Sequence, residues 1–208
     1  MTERRIRAYV GLGANLGDAE ATLAAAIAAL AAFPGIRLRG VSRLYATAPV
    51  GMTDQPEFRN AVVALDVPAG TDAATGALAL LGRLKRLETD FGRRPRERWG
   101  PREIDLDLLV FGRARLAIER TRDTRSVDAA IDPAKAWKRL EVPHPRAATR
   151  LFVLAPLADL APGLVPPGWG LSVEAARRRQ AAIEGPTAVR LVASWDEAAQ
   201  TWRPVQPR

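Results

Sequence analysis

No cysteine occurs anywhere in the chain. That removes disulfides and thiolate-bound metals, and it makes a reducing cytoplasm the expected compartment. Lysine is almost as scarce: Lys85, Lys135 and Lys138 are the only three among 31 basic residues, so arginine carries the formal charge of +8. Planar arginine suits bidentate contact with phosphate, although global charge alone does not separate a nucleic acid from a small polyphosphate. The longest apolar run, Leu23 to Phe33, is mostly alanine and too short to span a bilayer. The opening MTERRIRAYVGLG has basic residues but no apolar segment behind them, so no signal peptide is expected. Two nucleotide cradles are also missing. No G-x-x-x-x-G-K-[ST] occurs, and Gly11, Gly13 and Gly17 are spaced G-x-G-x-x-x-G with no acid some twenty positions later, so a dinucleotide fingerprint is rejected.

What is present reads as one main unit with decorations. Arg7 to Gly13 predicts a strand. Asp18 is a good N-cap for an alanine-rich helix from Ala19 to Phe33, stopped by Pro34 and Gly35. Ile36 to Tyr45 predicts a second strand, Phe58 to Val67 a third, Thr71 to Phe91 a leucine-striped helix, and 104 to 111 a last strand. The order β-α-β-β-α-β predicts an α+β, ferredoxin-like fold (an α/β sandwich), its antiparallel sheet covered by helices on one face. The charged stretch from 113 to 139 is expected to be a surface insertion. An apolar helix or strand follows within 142 to 162, and 187 to 208 could form a hairpin. The expected division is 1–175 as the catalytic domain and 176–208 as a C-terminal extension.

In RWGPREIDLDLLVFG, residues 98 to 112, Ile104, Leu106 and Leu108 alternate with Asp105 and Asp107. In an extended chain the two carboxylates share a face, roughly 6.6 Å apart at Cα, close enough to converge on one cation or a close pair. A solvated edge strand would give the same alternation. Leu109, Val110 and Phe111 argue against that, because they carry the strand into the core on both faces and leave the acids at its mouth. Arg93, Arg94, Arg96, Arg98 and Arg102 lie beside Glu88 and the two aspartates, the complement of a metal-bound polyphosphate. Trp99 could stack on a planar ligand or anchor the loop. His144 stands between Pro143 and Pro145. Phe58 and Asn60 share a strand face that could read a heterocycle, or be core and cap.

The segments YVGLGANLGD, LYATAPVGMTDQPEFRNAVV, LETDFGRR, RWGPREIDLDLLVFG and VPHPRAATRLFVLAPLADLAP together resemble the 6-hydroxymethyl-7,8-dihydropterin pyrophosphokinase family of the folate pathway, over about residues 6 to 175. The resemblance implies transfer of diphosphate from ATP, the co-substrate, to the pterin hydroxymethyl group, releasing AMP. It implies two Mg²⁺ ions on Asp105 and Asp107, with Arg93 and Arg102 also catalytic. ATP would be met by Glu88, Arg93, Arg96, Trp99, Arg102, Leu108, Arg139, His144 and Arg150. The pterin would be met by Thr47, Pro49, Val50, Asn60 and Trp99, with Phe58 and Phe152 sandwiching the ring. Asn15 and Gln55 would organise loops. The implied partners are these two small molecules, with no nucleic acid and no membrane, and the protein acting as a monomer. The chain departs from the family pattern at Pro95, where a further arginine is usual, so that Arg94 or Arg96 must substitute or the contact is lost; at Ala48, Glu141 and Pro145; and in the insertion before Arg139. Rival readings are a basic ferredoxin-like nucleic-acid-binding module, or another transferase using the same paired acids.

Overall fold

A computed structural model describes residues 4–49, 51–97, 99–132, 139–185 and 187–205. The elements run β1 (Arg5–Ala14), α1 (Ala19–Ala32), β2 (Arg37–Val41), β3 (Leu44–Thr47), β4 (Phe58–Pro68), α2 (Ala73–Asp90), β5 (Asp105–Phe111), β6 (Leu116–Ile118), β7 (Leu140–Val142), α3 (Leu151–Leu160), α4 (Val173–Glu184), β8 (Arg190–Asp196) and β9 (Thr201–Pro204). Helix starts follow the capping chemistry of the sequence. Asp18 Oδ1 accepts the Ala21 N–H at 3.0 Å, Asp72 Oδ1 accepts that of Thr75 at 2.8 Å, and Ser172 Oγ accepts that of Ala175 at 3.2 Å.

The main sheet has seven strands, ordered β5-β1-β4-β3-β8-β9, with β2 also on β4. The pairing of β1 with β4 and β5, and of β4 with β2 and β3, is antiparallel throughout, which is the α+β, ferredoxin-like arrangement. The single strand expected over 36 to 45 is two strands. The 11-residue β4 takes β2 along one half of its edge and β3 along the other. Ser42 falls between them, its hydroxyl accepting the Val62 N–H at 2.9 Å where a ladder bond would otherwise form.

The expectation of helices on one face is also corrected. Ala8, Val10, Leu12, Ala61, Val63, Leu65, Leu106 and Phe111 pack with α1 and α2, while Tyr9, Val62, Ala64, Leu109 and Val110 pack with α3 and α4 on the other side. The residues Ala61 to Leu65 are apolar without interruption because their strand is covered twice. Helix α3 is fixed over β3 by Asp159, which accepts from the Tyr45 hydroxyl at 3.0 Å and from the Arg43 N–H at 3.1 Å. The C-terminal hairpin β8–β9 extends the sheet beyond β3, and Trp202 Nε1 donates to the Ser42 carbonyl at 3.1 Å. The segment expected to be a surface excursion is anchored: β6 pairs with β7, and Thr124 and Asp128 are buried.

Candidate active site

Strand register places the acids. Across the face that carries α3 and α4, Asp105 on β5 lies beside Gly13 on β1, and Gly13 lies beside Asn60 on β4. One step inward, Asp107 lies beside Gly11. A Cβ on Gly13 would touch only the Asn60 amide oxygen at 3.5 Å and a backbone oxygen at 4.0 Å. The two glycines therefore leave a trough between the carboxylates and the amide. They are strand residues and not a phosphate loop, which agrees with rejecting the dinucleotide fingerprint. On the far wall Asn60 Nδ2 donates to Thr47 Oγ1 at 2.9 Å, and Phe58 is half-buried on the same face.

The near wall is built from charge. Arg93 Nη1 lies 2.6 Å from Asp105 Oδ1 and 2.7 Å from Glu88 Oε1, and its Nη2 lies 3.4 Å from Asp128 Oδ2. Arg102 Nη1 holds the other Asp105 oxygen at 2.5 Å. Burial raises the Asp105 carboxyl, but the guanidinium charges of Arg93 and Arg102 outweigh it and hold the group well below the usual carboxylate range. Burial likewise works against the Arg93 charge, and Asp105, Glu88 and Asp128 more than offset it. Glu88 is fully buried at the free edge of β5. Its Oε1 accepts the Leu106 N–H at 2.8 Å and the Lys85 ammonium at 2.6 Å, and Lys85 donates at 3.0 Å to the Leu106 carbonyl. Burial pushes the Glu88 carboxyl up against the pull of Lys85 and Arg93. Arg96 Nη2 is held by Glu103 Oε1 at 2.6 Å, and its backbone N–H donates to Asp128 Oδ1 at 3.2 Å.

The third side comes from the segment after β7. The His144 N–H donates to the Leu109 carbonyl at 2.8 Å, fixing the histidine beside β5. Its Nδ1 accepts the Arg146 N–H at 3.3 Å, so the neutral ring carries its proton on Nε2. Burial pushes the imidazole down, opposed by Asp107 and assisted by Arg150 and Arg146. Arg150 starts α3 with its guanidinium carbon 5.4 Å from the Phe152 ring centre. Two loops close the end. Asn15 Nδ2 donates to Gln55 Oε1 and the Pro56 carbonyl, both at 3.0 Å, and Asn15 Oδ1 accepts the Arg102 N–H at 2.7 Å. Gln55 Nε2 donates to the Trp99 carbonyl at 2.8 Å. Trp99 sits at φ 71° over Gly51, whose Cβ position would lie 2.9 Å from the indole, so only glycine fits there.

Of the residues expected from sequence, Asp105, Asp107, Arg102, His144, Arg150, Asn60, Thr47, Phe58 and Phe152 lie around the trough or the face it opens on. Arg93 and Glu88 stand behind it, their side chains 4% and 0% exposed. Leu108 points into the opposite core. The exposed Arg139 donates to the Ala117 carbonyl on the β6–β7 ribbon. Pro49 is half-buried at the start of the 48–57 loop. Val50, Arg98, Lys135 and Lys138 lie outside the described residues. Asp128 and Arg120, within the insertion, were not anticipated. Their place depends on how the inserted chain docks on α2 and β5, which no local pattern encodes.

Among the described residues no group of three or more histidine, cysteine or acidic side chains could by itself hold a metal. The two aspartates nevertheless fit Mg²⁺, which binds through one or two carboxylates and completes its shell with substrate phosphates and water. Among the described residues no arginine or lysine lies within ion-pair distance of Asp107. Among the described residues both faces of the sheet pack against helices, unlike the open aromatic platform on which sheet-based nucleic-acid modules stack bases.

Paired aspartates at the mouth of a helix-covered antiparallel sheet, walled by guanidinium groups, define an α+β enzyme of the phosphoryl-transfer class. Residues 9–162 match the family model described as 7,8-dihydro-6-hydroxymethylpterin-pyrophosphokinase (HPPK). The 2-amino-4-hydroxy-6-hydroxymethyldihydropteridine pyrophosphokinase of Pseudomonas aeruginosa is 42% identical over 158 residues, 76% of this chain and 82% of that protein. The Bacillus subtilis protein of the same name is 37% identical, over 74% of this chain and 77% of its own. A solved Plasmodium falciparum HPPK-DHPS is similar in fold, with a TM-score of 0.70 at 13% identity; the match covers 100% of this chain and spans half of that longer one. The chain belongs to the 6-hydroxymethyl-7,8-dihydropterin pyrophosphokinase family.

Proposed function

We propose that this chain transfers diphosphate from ATP to the hydroxymethyl group of 6-hydroxymethyl-7,8-dihydropterin, giving AMP and the pterin diphosphate in folate biosynthesis. The observation that carries the reading is the row Asp105–Gly13–Asn60, a carboxylate and an amide facing each other across a gap that a side chain would fill. Thr47 and Asn60 would read the polar edge of the pterin, with Phe58 and Phe152 against its faces. The hydroxymethyl oxygen would then project along Gly13 toward the aspartates, where it attacks the β-phosphorus as the bond to the bridging oxygen of AMP breaks.

Asp105 and Asp107 would hold Mg²⁺, one ion or two. When bound, the metal would neutralise phosphate charge and align the reacting oxygens. Arg102 and Arg150 would take phosphate oxygens, and His144 would donate from Nε2 to the same chain. Arg93 would act from behind by orienting Asp105. The Asn15–Gln55 bridge would keep the Trp99 loop in register with the pterin loop. Small-molecule substrates, a monomeric protein and a cytoplasmic setting complete the proposal.

The test is product analysis. ATP, Mg²⁺ and hydroxymethyldihydropterin should yield AMP and the pterin diphosphate. ADP would mean transfer of the terminal phosphoryl group, released diphosphate would mean nucleotidyl transfer, and the absence of AMP would sink the proposal.

A further inference from the structure

A guanidinium group taken out of water raises the free energy of the fold unless an acceptor meets it. By that criterion the arginines around the two aspartates fall into two sets. Arg93, Arg96 and Arg102 are each paired with an acid, Glu88, Asp128, Glu103 or Asp105, although the buried Nε of Arg96 has no hydrogen-bond partner. Arg120 is not met. It is half-buried, its Nε is buried without a hydrogen-bond partner, and among the described residues no carboxylate reaches it within ion-pair distance.

Its position follows from the inserted chain. After β5 the backbone reverses at Gly112, in the left-handed region at φ 54°, and β6 pairs with β7. The residues beyond β6 return to the end of the sheet that carries the acids. The charges that act on Arg120 are those of Asp107 first and Glu88 second, neither close enough to pair, and burial pushes its guanidinium below the ordinary arginine range. Arg150 is in the same condition: burial and Arg146 lower it, while Asp107 and Asp105 oppose. Two arginines that no carboxylate pairs with among the described residues, Arg120 with its buried Nε unpartnered and Arg150 stacked on Phe152, thus lie within the field of Asp107, the carboxylate that no arginine occupies. A half-desolvated guanidinium beside a free metal-type carboxylate is complementary to an oxyanion that arrives with a cation. The ligand chemistry that fits is the polyphosphate of a nucleotide.

We propose that Arg120, delivered by the inserted segment, binds the phosphate chain of the nucleotide beside Asp107. This rests on the reading of the site as a nucleotide–phosphate site. The inserted segment is then part of the active site: Asp128 holds the arginine loop and Arg120 faces the ligand. The arginine missing at Pro95 is compensated from a different part of the chain, because Arg96 is already engaged by Glu103.

The experiment is calorimetric titration of the full chain with α,β-methylene-ATP and Mg²⁺, which leaves the scissile bond intact, alongside thermal melts of the apo protein. Arg120→Gln should weaken the analogue about 10- to 100-fold, the loss expected for one charged hydrogen-bonding group, while AMP is weakened less. Its Tm should equal or exceed that of the wild type, because an unmet buried charge has been removed; a residue with a merely structural role would lower it. Arg115→Gln, an exposed charge change in the same segment, should bind as wild type. If Arg120→Gln fails to fold, Arg120→Met gives the same comparison. An Arg120 variant that binds the analogue within about twofold of wild type, or whose Tm falls markedly, overturns the role of Arg120 alone. A folded wild-type protein that binds no analogue overturns the site reading and this inference together.

Discussion

The Asp128 carboxylate lies 3.4 Å from the guanidinium of Arg93, thirty-five positions away in sequence, and the same side chain accepts the Arg96 N–H at 3.2 Å. An acid from the insertion thus fixes both the side chain that orients Asp105 and the backbone of the loop leading to Trp99. Asp128→Ala should lower the unfolding free energy by about 1–3 kcal/mol, the cost of leaving a buried charged group short of one partner. It should also raise the KM for ATP more than it lowers kcat. Urea denaturation and steady-state kinetics check this, and an unchanged denaturation midpoint would remove the clamp from the account.

The two aspartates should behave differently when neutralised. Asp105 is bonded to Arg93 and Arg102, whereas Asp107 is free of both. Asp105→Asn should lose turnover and also become less stable by about 1–3 kcal/mol. Asp107→Asn should lose turnover with an unaltered melting curve. Equal Tm losses in the two variants would show that the asymmetry around the carboxylates has no energetic weight.

Gly13 forms the floor of the trough. Gly13→Val suits a strand by propensity and meets no close backbone atom, so the fold should be retained. Its side chain would occupy the gap between Asp105 and Asn60, and kcat/KM should fall at least about tenfold, or about 1.4 kcal/mol. A fully active Gly13→Val would mean that the substrate does not cross β1.

His144 gives the metal-free protein a pH dependence. Its imidazole is pushed down from the ordinary 6.5 in the folded state, so the unfolded chain takes up the proton first as pH falls. The contribution of the neutral ring is fully present above about pH 6.5 and is lost progressively below it. His144→Gln should flatten that part of the stability curve, measured as urea midpoints in chelator from about pH 5 to pH 8. A variant with the wild-type slope would rule out the histidine as its source.

How much of this could be read beforehand depended on how local each signal was. The Asp18 cap, the alternation of Ile104 to Leu108 and the leucine stripe of α2 are set within a few residues, and the elements they predict are present. The division of 36–45 into β2 and β3 was hidden because it depends on the length of β4, a different segment. Coverage on both faces was visible in Ala61 to Leu65, whose unbroken apolar run calls for two layers, but the β-α-β-β-α-β order suggested helices on one face. In the site, the paired aspartates declared themselves because strand geometry is periodic. Arg120 and Asp128 look like any solvated charges in an arginine-rich stretch. Only the long-range docking of the insertion distinguishes them.

The ion pair of Lys85 and Glu88 meets both backbone polar groups of Leu106 on the outer side of β5, and the His144 N–H takes the carbonyl of Leu109. An edge strand normally offers such groups to any other extended chain that drifts past. Here the offer is withdrawn by side chains that also support Asp105, while the opposite edge is the four-residue β9, ending in Pro204. The charges behind the acidic site therefore also keep the sheet from recruiting a further strand, and a mutation at Glu88 aimed at chemistry would at the same time open a surface for aggregation.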